Sequence, residues 1–122
     1  MNLADTSVWI DHLRSDDKTL ARLLDAGMIL IHPFIIGEVA LGNLRQRDVI
    51  LDAMRNLPRT AVATDEEVLH MISRDTLFGL GIGYIDAHLL AAVRLTSGSS
   101  LWTRDKRLRA VAERLRLAAS LP

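Results

Sequence analysis

The chain of 122 residues contains no cysteine. Disulfides, thiolate nucleophiles and cysteine-ligated zinc are therefore excluded together. Aromatic residues make up only 4%, so the core must be built from Leu, Ile, Val and Ala. Such a core suits a sheet packed between helices. Net charge is absent too, because 15 Lys and Arg stand against 15 Asp and Glu. That balance argues against a surface broadly dedicated to nucleic acid. No apolar run approaches the roughly 18 residues that a membrane span requires. The opening MNLADTSVWID carries an acid at Asp5 and does not read as a secretion signal. A cytoplasmic protein is expected.

What is present is a globular composition, 49% hydrophobic and 25% charged, at a length suited to one domain spanning 1–122. Charge is uneven along it. Between Arg104 and Arg116 six basic residues face two acids, Asp105 and Glu113. Most of these cations are expected on the exposed face of a last helix.

Short apolar runs alternate with helical periodicity. Strands are expected at 3–4, 28–31, 60–63 and 100–103, with a small edge strand at 117–119. Helices are expected at 8–14, capped by Ser7, and at 17–26, closed by Gly27. Others are expected at 34–44, 47–56, 64–78, 84–95 and 105–114. Thr64-Asp65-Glu66-Glu67 has the form of a capping box. The alternation implies a three-layer α/β/α sandwich with a central, mostly parallel sheet. In such sheets ligands bind beyond the carboxyl ends of the strands.

Four acids stand out against that frame. Asp5 ends the first strand, and Asp105 follows the last long one by two residues. Glu38 in FIIGEVALG and Asp86 in GYIDAHLLAA lie inside aliphatic sequence. Each has an ordinary explanation. Asp5 and Asp105 fit helix caps, Glu38 fits a partner of Arg45 or Arg47, and Asp86 fits a helix N-terminus. The set is harder to explain singly, because the element order lets all four converge. Two carboxylates at about 4 Å repel by about 4 kcal/mol at an effective dielectric of 20. A hard divalent cation compensates such a cluster, and oxygen-only donors favour Mg²⁺ or Mn²⁺. That chemistry points to phosphodiester hydrolysis.

With these acids in place the whole chain resembles the PIN-domain ribonucleases, and within them the VapC-type toxins of toxin–antitoxin pairs. Asp5 in LADTSVWID, Glu38 in PFIIGEVALG, Asp86 in YIDAHLLAA and Asp105 in Thr103-Arg104-Asp105 resemble the family's four acidic motifs in order. The resemblance implies Mg²⁺- or Mn²⁺-dependent cleavage of RNA, with those four acids as catalytic metal ligands. It also implies a small antitoxin that obstructs the site, and a toxin homodimer. Thr6 and Thr103 are supporting residues that hold waters or orient the acids. A further acid found near the third motif in some relatives is missing here, since Gly83, Tyr84 and Ile85 precede Asp86. Arg104, Lys106 and Arg107 are candidates for RNA-phosphate contacts. His32 is expected at an ordinary polar position, and Trp9 and Trp102 in the core. Two other readings remain open at this point. One is a non-catalytic partner-binding domain of the same fold; the other is a phospho-accepting domain, for which the adjacent acids after the first strand are lacking.

Overall fold

A computed structural model describes all residues 1–122, and in it the strands are short and the helices dominate. The order is β1 (Asn2–Ala4), α1 (Thr6–Ser15), α2 (Lys18–Asp25), β2 (Ile29–Leu30) and α3 (Pro33–Ala40). Then follow α4 (Arg47–Arg55), α5 (Asp65–Arg74), α6 (Tyr84–Leu95), β3 (Ser100–Trp102) and α7 (Lys106–Arg114). The three strands form a parallel sheet in the order β2-β1-β3. Leu3 pairs with Leu30 on one side and with Leu101 on the other.

Neighbouring residues of a strand face opposite sides of the sheet. Leu3 and Ala4 are both fully buried, and so are Leu101 and Trp102. Both faces of the sheet are therefore covered, as parallel sheets require, and the fold is a three-layer α/β/α sandwich. Helix α1 packs on α2 and α3, α3 on α4, α5 on α6, and α6 on β3. Seven consecutive residues of α6, Ala87 to Val93, are buried. An all-round apolar helix of this kind belongs at the centre of a domain. The position of Asp86 just before that run ties its carboxylate to a rigid element.

The sheet differs from expectation at its edges. Residues 60–63 form no strand; only Ile31 and Arg59 make a single parallel bridge. The Pro58 carbonyl accepts the Ile31 N–H at 2.8 Å, and the Thr60 N–H donates to the Ile31 carbonyl at 3.1 Å. The ladder stops there because the next donor would be Pro33, which has no N–H, and the Ala61 N–H is taken by the Thr96 hydroxyl at 2.9 Å. Residues 117–119 likewise contribute one bridge, Ala118 to Leu101. Two helices also end early. Helix α3 stops at Ala40, before the poor helix formers Gly42 and Asn43. Helix α5 stops at Arg74, followed by Asp75 and by Thr76 in the left-handed region.

The cap of α1 is Asp5, not Ser7. The Asp5 carboxylate accepts the N–H groups of Ser7 and Val8 from an extended backbone, one residue ahead of the first helical turn. Ser7 is thereby left inside the helix with its hydroxyl free for other work. Thr64 and Glu67 do make the reciprocal capping box of α5. His32 caps α3, its Nδ1 accepting from the Phe34 N–H at 3.0 Å ahead of Pro33. His32 is fully buried rather than an ordinary polar residue. Burial, with the neighbouring His88 and Arg59 acting in the same direction, pushes its pKa down to about 4, so its imidazole is neutral and can accept that bond. Trp9 and Trp102 are core residues.

Candidate active site

Parallel pairing fixes the first half of the site. Ala4 stands opposite Trp102, and the Asp5 N–H donates to the Trp102 carbonyl at 3.0 Å. The chains leaving β1 and β3 therefore emerge side by side, with Asp5 next to Thr103. Asp5 is 5% exposed. Its Oδ1 accepts from the Ser7 N–H at 3.0 Å and the Ser7 hydroxyl at 2.5 Å, and its Oδ2 accepts from the Thr103 hydroxyl at 2.5 Å. Burial raises the pKa of Asp5, and these hydrogen bonds oppose the rise. Satisfied in this way, the carboxylate survives in a place where an unpartnered charge would not.

The same hydroxyls tie the strand exits together. Thr103 Oγ1 accepts from the Asp105 N–H at 3.1 Å, and Ser7 Oγ accepts from the Arg104 N–H at 3.0 Å. Asp105 caps α7, accepting from the Leu108 N–H at 3.0 Å. The second half comes from helices. On α3, Glu38 Oε1 accepts from the Thr6 hydroxyl at 2.7 Å. At the start of α6, Asp86 Oδ2 accepts from the Gly83 N–H at 3.0 Å. Burial raises the pKa of Asp86, and the negative charges of Asp105 and Glu38 raise it further.

Asp5, Thr6, Ser7, Glu38, Asp86, Leu89 and Asp105 line one pocket of about 160 Å³. The fold thus brings all four sequence-selected acids to a single hollow, and no basic residue lines it. Larger hollows lie elsewhere, one of about 740 Å³ beside Arg109 and Leu121, one of about 450 Å³ between α5 and α6 and one of about 420 Å³ bounded by Ile10, Glu38 and Ile50. None of them gathers these acids. The small pocket is of a size for an ion, water and a phosphate oxygen rather than for an organic ligand.

The donor set fits a hard cation. Its polar side chains offer carboxylate and hydroxyl oxygen, with no nitrogen or sulfur. No three acids or imidazoles are drawn to the spacing of a ready-made metal site. Each carboxylate is instead held by its own hydroxyl or N–H donors, which offset part of the repulsion among the four.

Two readings change at the rim. Arg104 is not free to meet RNA. It pairs with Asp11 at 2.8 Å and Asp17 at 2.6 Å, donates to the Pro122 carbonyl at 3.0 Å, and lies over the Trp102 ring. Asp17 is held below the usual carboxylate range by the Leu20 N–H, with Arg104 adding to the effect. Arg104 is a structural clasp between α1, the start of α2 and the C-terminus. Lys106 and Arg107, by contrast, are exposed. The residue that sequence reasoning missed is Ser7, whose hydroxyl lines the pocket and joins Asp5 to the Arg104 backbone. Its signal was available: a second hydroxyl directly after Asp5-Thr6 at the exit of a buried strand.

Comparison with known proteins matches residues 3–114 to the PIN domain. The chain is similar to a curated protein named Ribonuclease VapC32 from Mycobacterium tuberculosis, in strains CDC 1551 / Oshkosh and ATCC 25618 / H37Rv. Identity is 51% over 110 residues, covering 90% of this chain and 89% of the relative in each case.

Proposed function

The chain belongs to the PIN-domain family, among the VapC-type proteins, and from that premise we propose that it is a toxin endoribonuclease dependent on Mg²⁺ or Mn²⁺. The observation that carries this reading is the pocket itself. Asp5, Glu38, Asp86 and Asp105 share it without a cationic side chain among its lining. Those four residues would hold the metal. Bound there, a divalent cation supplies charge neutralisation at a phosphoryl oxygen and lowers the pKa of water toward neutrality.

The protein's own groups prepare the site for that role. Thr103 and Ser7 fix the Asp5 rotamer, and Thr6 fixes Glu38. Asp86 is fixed by the Gly83 N–H at the first turn of a buried helix. Four acids on four separate segments are thereby held without rotamer freedom, which is the positioning that metal-assisted hydrolysis needs. The pocket is open to solvent, so a scissile phosphate reaches it without a lid.

The partner in this reading is a small antitoxin. The groove bounded by Ile10, Leu13, Val39, Leu44 and Ile50 shares Glu38 with the acid pocket. A peptide with an apolar face seated there lies against the site and obstructs it. A toxin homodimer is part of the same reading. No helix is long and apolar enough to cross a membrane.

The test is RNA cleavage by purified protein with Mg²⁺, with chelator, and after Asp5→Asn. Cleavage is expected in the first arm alone. Equal activity in all three arms ends the proposal. Calorimetry separates a non-catalytic binding domain, which would take the partner tightly and bind no divalent ion.

A further inference from the structure

The loop before α6 carries three glycines, and one of them is in close contact with a cation. Gly81 has a φ of +78°, and a Cβ built on it would lie 2.8 Å from Arg107 Nη1, 3.0 Å from its Cδ and 3.3 Å from its Cζ. The stem and guanidinium of Arg107 therefore occupy the space beside Gly81 that a side chain would need. Gly79 has nearly the same backbone, φ +75°, with nothing within 4 Å of the built position. The left-handed turn accounts for a glycine at both positions; at Gly81 the Arg107 side chain also fills the space that a Cβ would take.

The seat joins the two segments that carry the outer acids of the pocket. Gly81 stands two residues before Gly83, whose N–H holds Asp86. Arg107 stands two residues after Asp105, in the first turn of α7. Asp105 caps that turn, which itself carries two cations, Lys106 and Arg107. Five arginines are used up in ion pairs with carboxylates, namely Arg55, Arg74, Arg94, Arg104 and Arg109. Arg107 is in none of them, is exposed, and packs its side chain against Gly81.

We infer that Arg107 contacts a phosphate of the RNA flanking the scissile position, and that Gly81 is the positioning residue that seats its side chain on the loop leading to Asp86, outside the acid pocket. A guanidinium suits this task because it presents two parallel donors to a phosphate, and a pre-placed one loses less freedom on binding. The inference rests on the nuclease reading for its substrate, and makes the strand that enters the pocket ordered on its α6–α7 side.

The experiment measures binding of a fluorescent single-stranded RNA oligonucleotide in Mg²⁺, on a Glu38→Gln background so that the probe stays intact. Arg107→Ala is expected to weaken binding about tenfold, the lower range for a hydrogen bond to a charged group. It should also reduce the slope of affinity against salt by about one phosphate contact. Gly81→Ala is expected to reproduce both changes by pushing the guanidinium away, and to add nothing when Arg107 is already Ala. Gly79→Ala carries the same backbone strain without the collision and should leave binding and slope unchanged. Thermal melts of each variant report the fold separately. Arg107→Ala with unaltered affinity and slope overturns the assignment. Equal weakening by Gly81→Ala and Gly79→Ala overturns the seat. A background protein that binds RNA while the unsubstituted chain cleaves none ends the nuclease reading, and the Arg107 arms still decide this one. Absence of RNA binding by the background protein overturns the Arg107 assignment, and the nuclease reading falls with it only if the unsubstituted chain also cleaves no RNA.

Discussion

Two groups of acids sit side by side in this molecule and are treated in opposite ways. Asp11 and Asp17 are matched by Arg104, which reaches both and rests on Trp102. Asp5, Glu38, Asp86 and Asp105 line a pocket with no basic residue. The two groups diverge from one tripeptide, since Thr103 and Asp105 serve the pocket while Arg104 between them serves the clasp. The charges respond accordingly. Asp17 is pulled below the usual carboxylate range, whereas Asp5 and Asp86 are pushed above it, first of all by burial. A chain that neutralises two acids so completely has the means to neutralise others. Leaving four unmatched within one pocket is a feature of the fold, and it requires a cation from outside or accepts a standing loss of stability.

Substitutions can break the contrast. The largest difference expected is in chemistry. Glu38→Gln keeps an acceptor for Thr6 but removes a charge, and should lower Mg²⁺-dependent RNA cleavage by roughly a thousandfold, equivalent to several kcal/mol at the transition state. Asp11→Asn removes a charge from the matched group and should leave the cleavage rate at its original level. If both variants lose activity alike, the two groups are not functionally distinct.

Next is the stability of the clasp. Arg104→Ala strips Asp11 and Asp17 of their cation and removes the stem from Trp102. A loss of about 2 kcal/mol is expected in chemical denaturation, below the value for fully buried pairs because Asp11 is half exposed. The loss should depend on pH with a definite sign. Asp17 has a lowered folded pKa, so its stabilisation is present above its ordinary value of 3.8 and disappears as pH falls through the lower folded value. The gap between Arg104→Ala and the unsubstituted protein should therefore be full at neutral pH and narrow only below 3.8. A gap that stays unchanged well below 3.8, as far as the fold survives, would assign the clasp to packing alone.

The smallest effect has the opposite sign. Asp86→Asn keeps the acceptor for the Gly83 N–H and removes a charge disfavoured by burial, Asp105 and Glu38. In chelator at neutral pH the melting temperature should rise by about 2–4 °C, or about 1 kcal/mol. A clear fall would mean that Asp86 is a structural partner rather than a repelled one.

Particular residues show how far the sequence could be read. The alternation of short aliphatic runs with helical periods was enough for a parallel sheet covered on both faces, because Leu3-Ala4 and Leu101-Trp102 leave no polar face. It was not enough for the extent of that sheet. Residues 60–63 look like a strand, yet Pro33 on the neighbouring segment and the Thr96 hydroxyl remove the backbone partners that a strand needs. Cap chemistry was legible where a reciprocal motif existed, as at Thr64 and Glu67. It was ambiguous in Asp5-Thr6-Ser7, where each side chain is able to cap and only the geometry of the strand exit selects Asp5.

By itself the sequence determined the fold class and the four acids, since both follow from which residue types lie next to which in the chain. It left Arg104 and Arg107 indistinguishable, two cations flanking one acid. Tertiary structure separated them, because the partners of a long flexible side chain are chosen by what other segments bring within reach. Arg104 found Asp11 and Asp17 across the helices of the N-terminal half. Arg107 found Gly81 and no carboxylate partner.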